Sequence, residues 1–464
     1  MTSDGASLIP GLAWELTPGM AVGAQIESHL RDAMRAGHLR AGDALPSSRR
    51  LADHLGVSRG TVSQVYEQLA AEGYVDSRPG AVPRVAVRAY AAPAASSGPR
   101  RQSRLMVDFR PGVPDLASFP VQDWLRSVGE AARGAGSDLF GYGDPHGDHA
   151  LRSELASYLR RVRGAATDVT DIVVCAGFAQ GAALVLEGLR TVGIQTVAVE
   201  DPGDLSVGAL AARVGLRVVP VAVDEDGLDV AALSQSGARA VVVTPAHQSP
   251  TGAALSSHRR KALVQWAERV DGYIIEDDYD SEFRYDRAPL GVVQGMASSR
   301  VALIGSTSKT LAPALRLGWV VAPAPLVNAV ADIKFASDRG SPSIEQRALA
   351  HMMTARRYDR HVRRMRGVYS HRRRVLADAV LRAAPLARLS GLAGGFHALL
   401  HLPEGASEAA VVAAARERSI GLHALSGYRT RARPAAPALV IGFGNCSAEN
   451  ITSGIAEIAD LLEH

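Results

Sequence analysis

The sequence predicts an α/β protein in two parts, a small helical head and a large domain on a mostly parallel central sheet. Three observations predict this. The stretch "AYAAPAASSGPRRQSR", residues 89–104, has neither helical nor strand periodicity and reads as a linker. Before it, short amphipathic helices meet at a glycine turn. After it, short apolar runs alternate with helical stretches, the pattern of a parallel sheet covered on both faces.

In the head, Val22, Ile26, Leu30 and Met34 recur at helical spacing, with Gly37 near the end. "LPSSRRLADHLGVSRGTVSQVYEQLAAEGYV" follows. Pro46 and Ser47 open a short helix that carries Leu51 and Leu55, and Gly56 suits a left-handed end. Ser58 can cap the next helix, where Val62, Val65 and Leu69 form one face. This is helix-turn-helix spacing. Ser58, Arg59, Gly60 and Thr61 open the second helix, where a recognition helix meets base edges and phosphates. Residues 73–87 read as a small hairpin, or wing. A three-helix bundle with a solvated basic face has the same spacing, and spacing alone leaves both readings open.

In the large domain the strands are "DIVVCAG", "TVAVEDP", "LRVVPVAV", "ARAVVVTPA", "GYIIEDDYD" and "RVALIGSTS". Ligands of such sheets sit at the carboxyl ends of the strands. There the sequence places a glycine turn leading into a helix in "CAGFAQGAALVL", carboxylates with Tyr279 in "IIEDDYD", and hydroxyls with Lys309 in "STSKTLAPALRLGW". Lysine occurs only at Lys261, Lys309 and Lys334 in a chain otherwise rich in arginine. An amine forms a Schiff base with an aldehyde and a guanidinium does not. A carboxylate can hold a pyridine nitrogen protonated. Hydroxyls, an arginine fork and free N–H groups at a helix N-terminus hold a phosphate. Together these describe pyridoxal 5′-phosphate (PLP). Singly, Lys309 reads as a surface lysine and Asp277 as a capping carboxylate; the ordered set is harder to explain that way. Cys175 and Cys446 read as buried apolar residues, and His247 and His397 stand equally as core or site.

The composition, 47% hydrophobic and 21% charged over 464 residues, is that of a water-soluble protein with room for two or three domains. No apolar run approaches the roughly 18 residues that cross a bilayer. Two cysteines make neither a disulfide framework nor a zinc cluster, and "MTSDGASLIP" is no secretory signal, so a reduced cytoplasmic setting is expected, with no membrane partner and no metal. A net charge of +4 permits nucleic-acid binding without requiring it.

Residues 21–87 resemble the winged helix-turn-helix of the GntR family. The resemblance places DNA contacts on Arg49, Ser58, Arg59 and Thr61, with Gly80 in the wing; the chain departs at Gly60 and at "PGAVPR". From Val107 to His464, "YGDPHGDHALRSELASYL", "TPAHQSPTG", "IIEDDYDSEFRY" and "STSKTLAPALRLGW" resemble the fold-type I aminotransferases in family order, which implies a smaller C-terminal α/β subdomain as well. By that resemblance Lys309 forms the Schiff base, Asp277 pairs with the pyridine nitrogen and Tyr279 hydrogen-bonds the ring oxygen. Ser306, Ser308, Arg316 and the backbone N–H groups of Phe178 and Ala179 hold the phosphate, and Tyr142 reaches the phosphate of the partner subunit.

The fusion resembles the MocR/GabR regulators, with a DNA-binding domain over 1–88, a linker over 89–106 and a PLP-binding effector domain over 107–464. It implies a head-to-tail homodimer on double-stranded operator DNA that senses a small molecule, PLP itself or an amine. Asp204 stands where a ring-stacking aromatic is usual, Ser206 where GABA-responsive members carry arginine, Ser249 where aminotransferases carry asparagine, and Val440 near the usual carboxylate-gripping arginine. Arg429, Arg431 and Arg433 are the nearby substitutes. A working aminotransferase with a DNA-binding head, and a regulator that has lost the cofactor, are the competing readings.

Overall fold

The computed structural model describes residues 21–35, 37–77, 81–86, 105–285, 290–430 and 436–463, together with Ile9 and Thr17. Gly80, Val87, the linker as far as residue 104, and Arg431 and Arg433 lie outside the described residues. The chain divides into two compact units, Met1–Gln102 and Ser103–His464.

In the first unit, helices α1 (Val22–Arg35), α2 (Ser48–Leu55) and α3 (Arg59–Ala71) precede two short antiparallel strands, β1 (Val75–Asp76) and β2 (Arg84–Val85). The apolar periodicity explains the packing: Ile26, Leu30, Leu51, Val62 and Leu69 are all fully buried. The turn is local chemistry. Gly56 ends α2 at φ +66°, and the Ser58 hydroxyl accepts the Thr61 N–H at 3.1 Å to start α3.

The second unit begins with β3 (Val107–Asp108), α4 (Val121–Arg133) and α5 (His149–Tyr158). Alternating elements follow: β4 (Ile172–Cys175), α6 (Phe178–Thr191), β5 (Thr196–Asp201), α7 (Leu205–Arg213), β6 (Arg217–Asp224), β7 (Gly227–Leu228), α8 (Val230–Gln235), β8 (Ala240–Val243), α9 (Ser257–Arg269), β9 (Tyr273–Asp278), β10 (Val301–Ser306), β11 (Gly318–Val321) and α10 (Ala324–Asp338). The eight-stranded sheet has the order β4-β11-β10-β9-β8-β5-β6-β7. Pairing from β10 through β9, β8 and β5 to β6 is parallel; β11 runs antiparallel to both neighbours, and β7 to β6. Burial on both faces explains the continuous apolar runs of β4, β8 and β10. Ala302 and Ile304 pack on the face covered by α6 and α10, whereas Val301 packs on the opposite face with Trp266 of α9.

The chain continues with α11 (Ser343–Thr354), α12 (Arg357–Ala383), β12 (Arg388–Ser390), β13 (His397–His401), α13 (Glu408–Glu417), β14 (Ile420–Gly421), β15 (Ala438–Gly442), α14 (Ala448–Glu457) and α15 (Ala459–Leu462). Here β12, β13 and β15 form a three-stranded antiparallel sheet, and β14 pairs in parallel with β3. This is the smaller C-terminal α/β subdomain. Among the described residues no helix is long and apolar enough to cross a membrane.

Candidate functional site

The carboxyl ends of β5, β8, β9 and β10 open into a cleft of about 440 Å³, walled also by Pro111, Gly112, Tyr428 and Val440. One end is built for an anion. Gly177, at φ +96°, precedes α6, and no side chain caps the helix. The N–H groups of Phe178 and Ala179 therefore lie in the first turn, where helix donors lack intrahelical partners. A Cβ on Gly177 would stand 3.5 Å from the Arg316 guanidinium and 3.7 Å from the Ser308 hydroxyl. The glycine thus keeps the backbone close to both groups. Arg316 itself has φ +51° and donates to the Ala176 and Pro313 carbonyls. Ser306, at the end of β10, lines the same end, and its hydroxyl accepts the Ser308 N–H at 3.4 Å. A phosphate ester fits this cradle.

Lys309 follows at once. Its Nζ donates to the Gly112 carbonyl at 2.5 Å. Burial pushes its pKa down, against the pull of Asp277, Asp280 and Asp204. Burial likewise raises Asp277 well above the carboxylate range, with Lys309 opposing. An amine whose pKa is lowered toward neutrality is the form that attacks a carbonyl. The Tyr279 hydroxyl donates to the His247 carbonyl at 2.9 Å, and burial raises its pKa well above 10. Behind it His247 Nδ1 meets Asp280 at 2.9 Å and Nε2 meets the Gly391 carbonyl at 3.2 Å. Burial lowers His247, but the Asp280 charge and hydrogen bond outweigh it and the net shift is upward. Ligating atoms of His247, Asp280 and His397 lie within 4.8 Å of one another, yet both His247 nitrogens already have partners, which describes an ion pair. His397 lines the cleft; burial pushes it well below 6.5, which favours its neutral form.

The structure thus brings Lys309, Asp277, Tyr279, Ser306, Ser308, Arg316, Phe178 and Ala179 into one cleft. Tyr142 stands apart, 79% exposed, in a separate groove beside Gly143 and Asp148. Asp204 borders the cleft, but its carboxylate caps α7, accepting the Ser206 N–H at 2.9 Å. Ser206, Ser249 and Val440 line the cleft as well, and Arg429 does not. Among the described lining residues, Lys309 and Arg316 are the cations. The sequence reading missed Gly112, Tyr428 and Glu200. Glu200 is buried in the cleft wall, accepts from Thr244 Oγ1 at 2.6 Å and Gln248 Nε2 at 3.1 Å, and is raised by burial to about 7. A glutamate directly after the apolar run Val197–Val199 was the one signal for it; Gly112 and Tyr428 reach the cleft from distant segments.

In the head, Arg49 and Arg59 are exposed and make no hydrogen bond or ion pair among the described residues. Ser58 and Thr61 have their hydroxyls 2.8 Å apart, so both already serve the cap of α3.

The head and the cleft define a class: a DNA-binding head carried on an aminotransferase-type domain. The bacterial regulatory proteins of the gntR family match residues 23–85, and aminotransferase class I and II matches residues 106–456. The chain is 33% identical to the HTH-type pyridoxine biosynthesis transcriptional regulator PdxR of Corynebacterium glutamicum, over 94% of this chain and 95% of that protein. It is also 33% identical to the probable rhizopine catabolism regulatory protein MocR of Rhizobium meliloti, over 76% and 75%. Among solved structures, the multiple substrate aminotransferase of Thermococcus profundus superposes with a TM-score of 0.71 at 22% identity, covering 78% of this chain and 92% of that one, which establishes the fold. The chain belongs to the GntR-family transcription regulators of MocR type, in which the DNA-binding head is joined to an aminotransferase class I and II domain.

Proposed function

We propose that this regulator binds PLP in the cleft and reports its occupancy to the head on operator DNA, with PLP itself or an amine lacking a carboxylate as the effector. The carrying observation is the convergence on one cleft of a low-pKa amine, a buried carboxylate and an uncapped helix N-terminus flanked by Arg316 and Ser308. Lys309 is the group to bond the aldehyde carbon, and Asp277 the one to pair with the ring nitrogen. Tyr279 faces the ring oxygen, and Ser306, Ser308, Arg316, Phe178 and Ala179 hold the phosphate. When bound, PLP supplies an electron sink for carbon atoms attached to an amine. Arg49, Ser58, Arg59 and Thr61 are the DNA-contacting residues of the head, with Arg59 on the helix turn that the Ser58 cap starts. The working unit is a homodimer in which Tyr142 of the partner subunit completes the phosphate site.

The lining disfavours amino-acid turnover. No arginine fork stands at Val440 or Ser206, and Asp204 adds a negative charge, so an entering carboxylate is left poorly paired. The named role of the Corynebacterium relative in pyridoxine biosynthesis favours PLP as the effector. Borohydride reduction and mass spectrometry test the first step: an adduct on Lys309, absent from Lys309→Ala, is expected. An adduct on Lys261 or Lys334, or none with PLP in excess, sinks the reading. Operator binding with and without PLP, at fixed salt, tests the second.

A further inference from the structure

Lys334 is one of the two lysines outside the cleft. It lies on α10, 1% exposed, and its Nζ meets both oxygens of Asp338, at 2.9 and 2.8 Å. Only the lysine is buried; Asp338 is exposed, and an ion pair open to solvent on one side adds little stability. The contacts of Asp338 show where this pair leads. Its Oδ2 also accepts Gln180 Nε2 at 2.6 Å, from the first turn of α6. Gln180 Oε1 accepts the Ala176 N–H at 2.7 Å, and the Ala176 carbonyl accepts Arg316. Ala176, the residue just before Gly177, is thus held at its N–H by this chain of contacts and at its carbonyl by a cradle arginine. Asp338 Oδ1 accepts the Gly340 N–H at 2.8 Å as well, so the carboxylate is fixed from three sides.

We infer that Lys334 and Asp338 are positioning residues for the phosphate cradle, acting through Gln180 on the Ala176–Gly177 turn. The inference rests on the reading of the cleft as a PLP site and adds a second lysine with its own role. The lysine holds the carboxylate in place by donating to both of its oxygens; partial desolvation raises Asp338, but the net shift is downward, with the Lys334 hydrogen bond the leading favourable cause. An ionised Asp338 accepts strongly from the Gln180 amide. That fixes the amide's orientation, leaving its oxygen for Ala176. The turn then presents the Phe178 and Ala179 N–H groups at a set angle. Partners one shell removed from a ligand set affinity by roughly 10–100-fold in metal sites, and a cradle of fixed N–H dipoles has the same sensitivity to angle.

The test compares two aldehydes in the full-length protein. PLP uses the cradle; pyridoxal has the same aldehyde and ring and lacks the phosphate. Lys334→Met and Gln180→Met should each weaken PLP binding about 10-fold and leave pyridoxal binding within about twofold. The double variant should be no worse than either single variant, as expected for members of one chain of contacts. Gln180→Met leaves the Lys334–Asp338 pair in place, so it decides the matter if Lys334→Met does not fold. Equal losses for both aldehydes point to general loosening and overturn the inference, as does unchanged PLP affinity in either folded variant. Wild-type protein that binds neither aldehyde overturns the cleft reading and this inference with it.

Discussion

Glu200 shows how burial sets the chemistry of single residues here. Its carboxyl is raised by burial from 4.5 to about 7. Between those values the folded chain holds a proton that the unfolded chain has lost. Stability therefore falls as pH rises across that window and levels off above it. Relative to Glu200→Gln, the cofactor-free wild-type protein should lose about 2–3 kcal/mol from roughly pH 4.5 to 7.5, measured by thermal unfolding at each pH. A flat difference would show that folding leaves the Glu200 carboxyl unshifted. Lys309 moves the opposite way: burial lowers it, which favours the neutral amine that attacks a carbonyl. At Arg59, exposed on the first turn of α3, truncation to alanine should cost roughly 1–3 kcal/mol of operator binding and relax one base position. Competition binding with single-base operator variants at matched salt checks it.

At the scale of elements, helix N-termini carry both halves of the protein. The N-terminus of α3 is capped by its own serine, and Ser58→Ala should destabilise that helix by about 1 kcal/mol, read as faster hydrogen exchange in α3 of the full chain. The N-terminus of α6 is left uncapped, which keeps its donors for a ligand. Gly177 has φ +96° and ψ −176°, a conformation nearly confined to glycine. Gly177→Ala should therefore weaken PLP more than pyridoxal, and equilibrium dialysis of the two separates a cradle effect from misfolding. These elements were legible because their signals are local: Gly56, Ser58 and the "CAG" turn each act on the next few residues. The wall formed by Gly112 and Tyr428 was not, since sequence periodicity does not report which distant loop closes over a strand end.

At the scale of the whole molecule, the proposed dimer makes a distinctive demand. Tyr142 is exposed in its own chain, outside the cleft. If it serves the partner's phosphate, Tyr142→Phe and Lys309→Ala homodimers should each bind PLP poorly or without an adduct. Mixing and re-equilibrating them should restore tight covalent binding in one site per heterodimer. Mass spectrometry of the mixture reads this, and no gain over the unmixed proteins would place Tyr142 outside the site. A titration of standard amino acids should leave operator affinity and the visible spectrum unchanged, because the described lining offers a carboxylate no fork beyond the cradle's Arg316.

The sequence by itself determined the order of elements, the helix caps, the parallel sheet and the residues at its carboxyl ends, because these depend on period-two and period-3.6 patterns and on turn chemistry within a few positions. It also marked Lys309, since an amine between two hydroxyl residues in an arginine-rich chain stands out. Only the tertiary structure decided what those residues meet. It placed Glu200 in the cleft wall and joined Lys334 to the Ala176 turn through Asp338 and Gln180. Each of these is a hydrogen bond or a burial set by how helices pack on the sheet, and packing brings together residues that the chain keeps far apart.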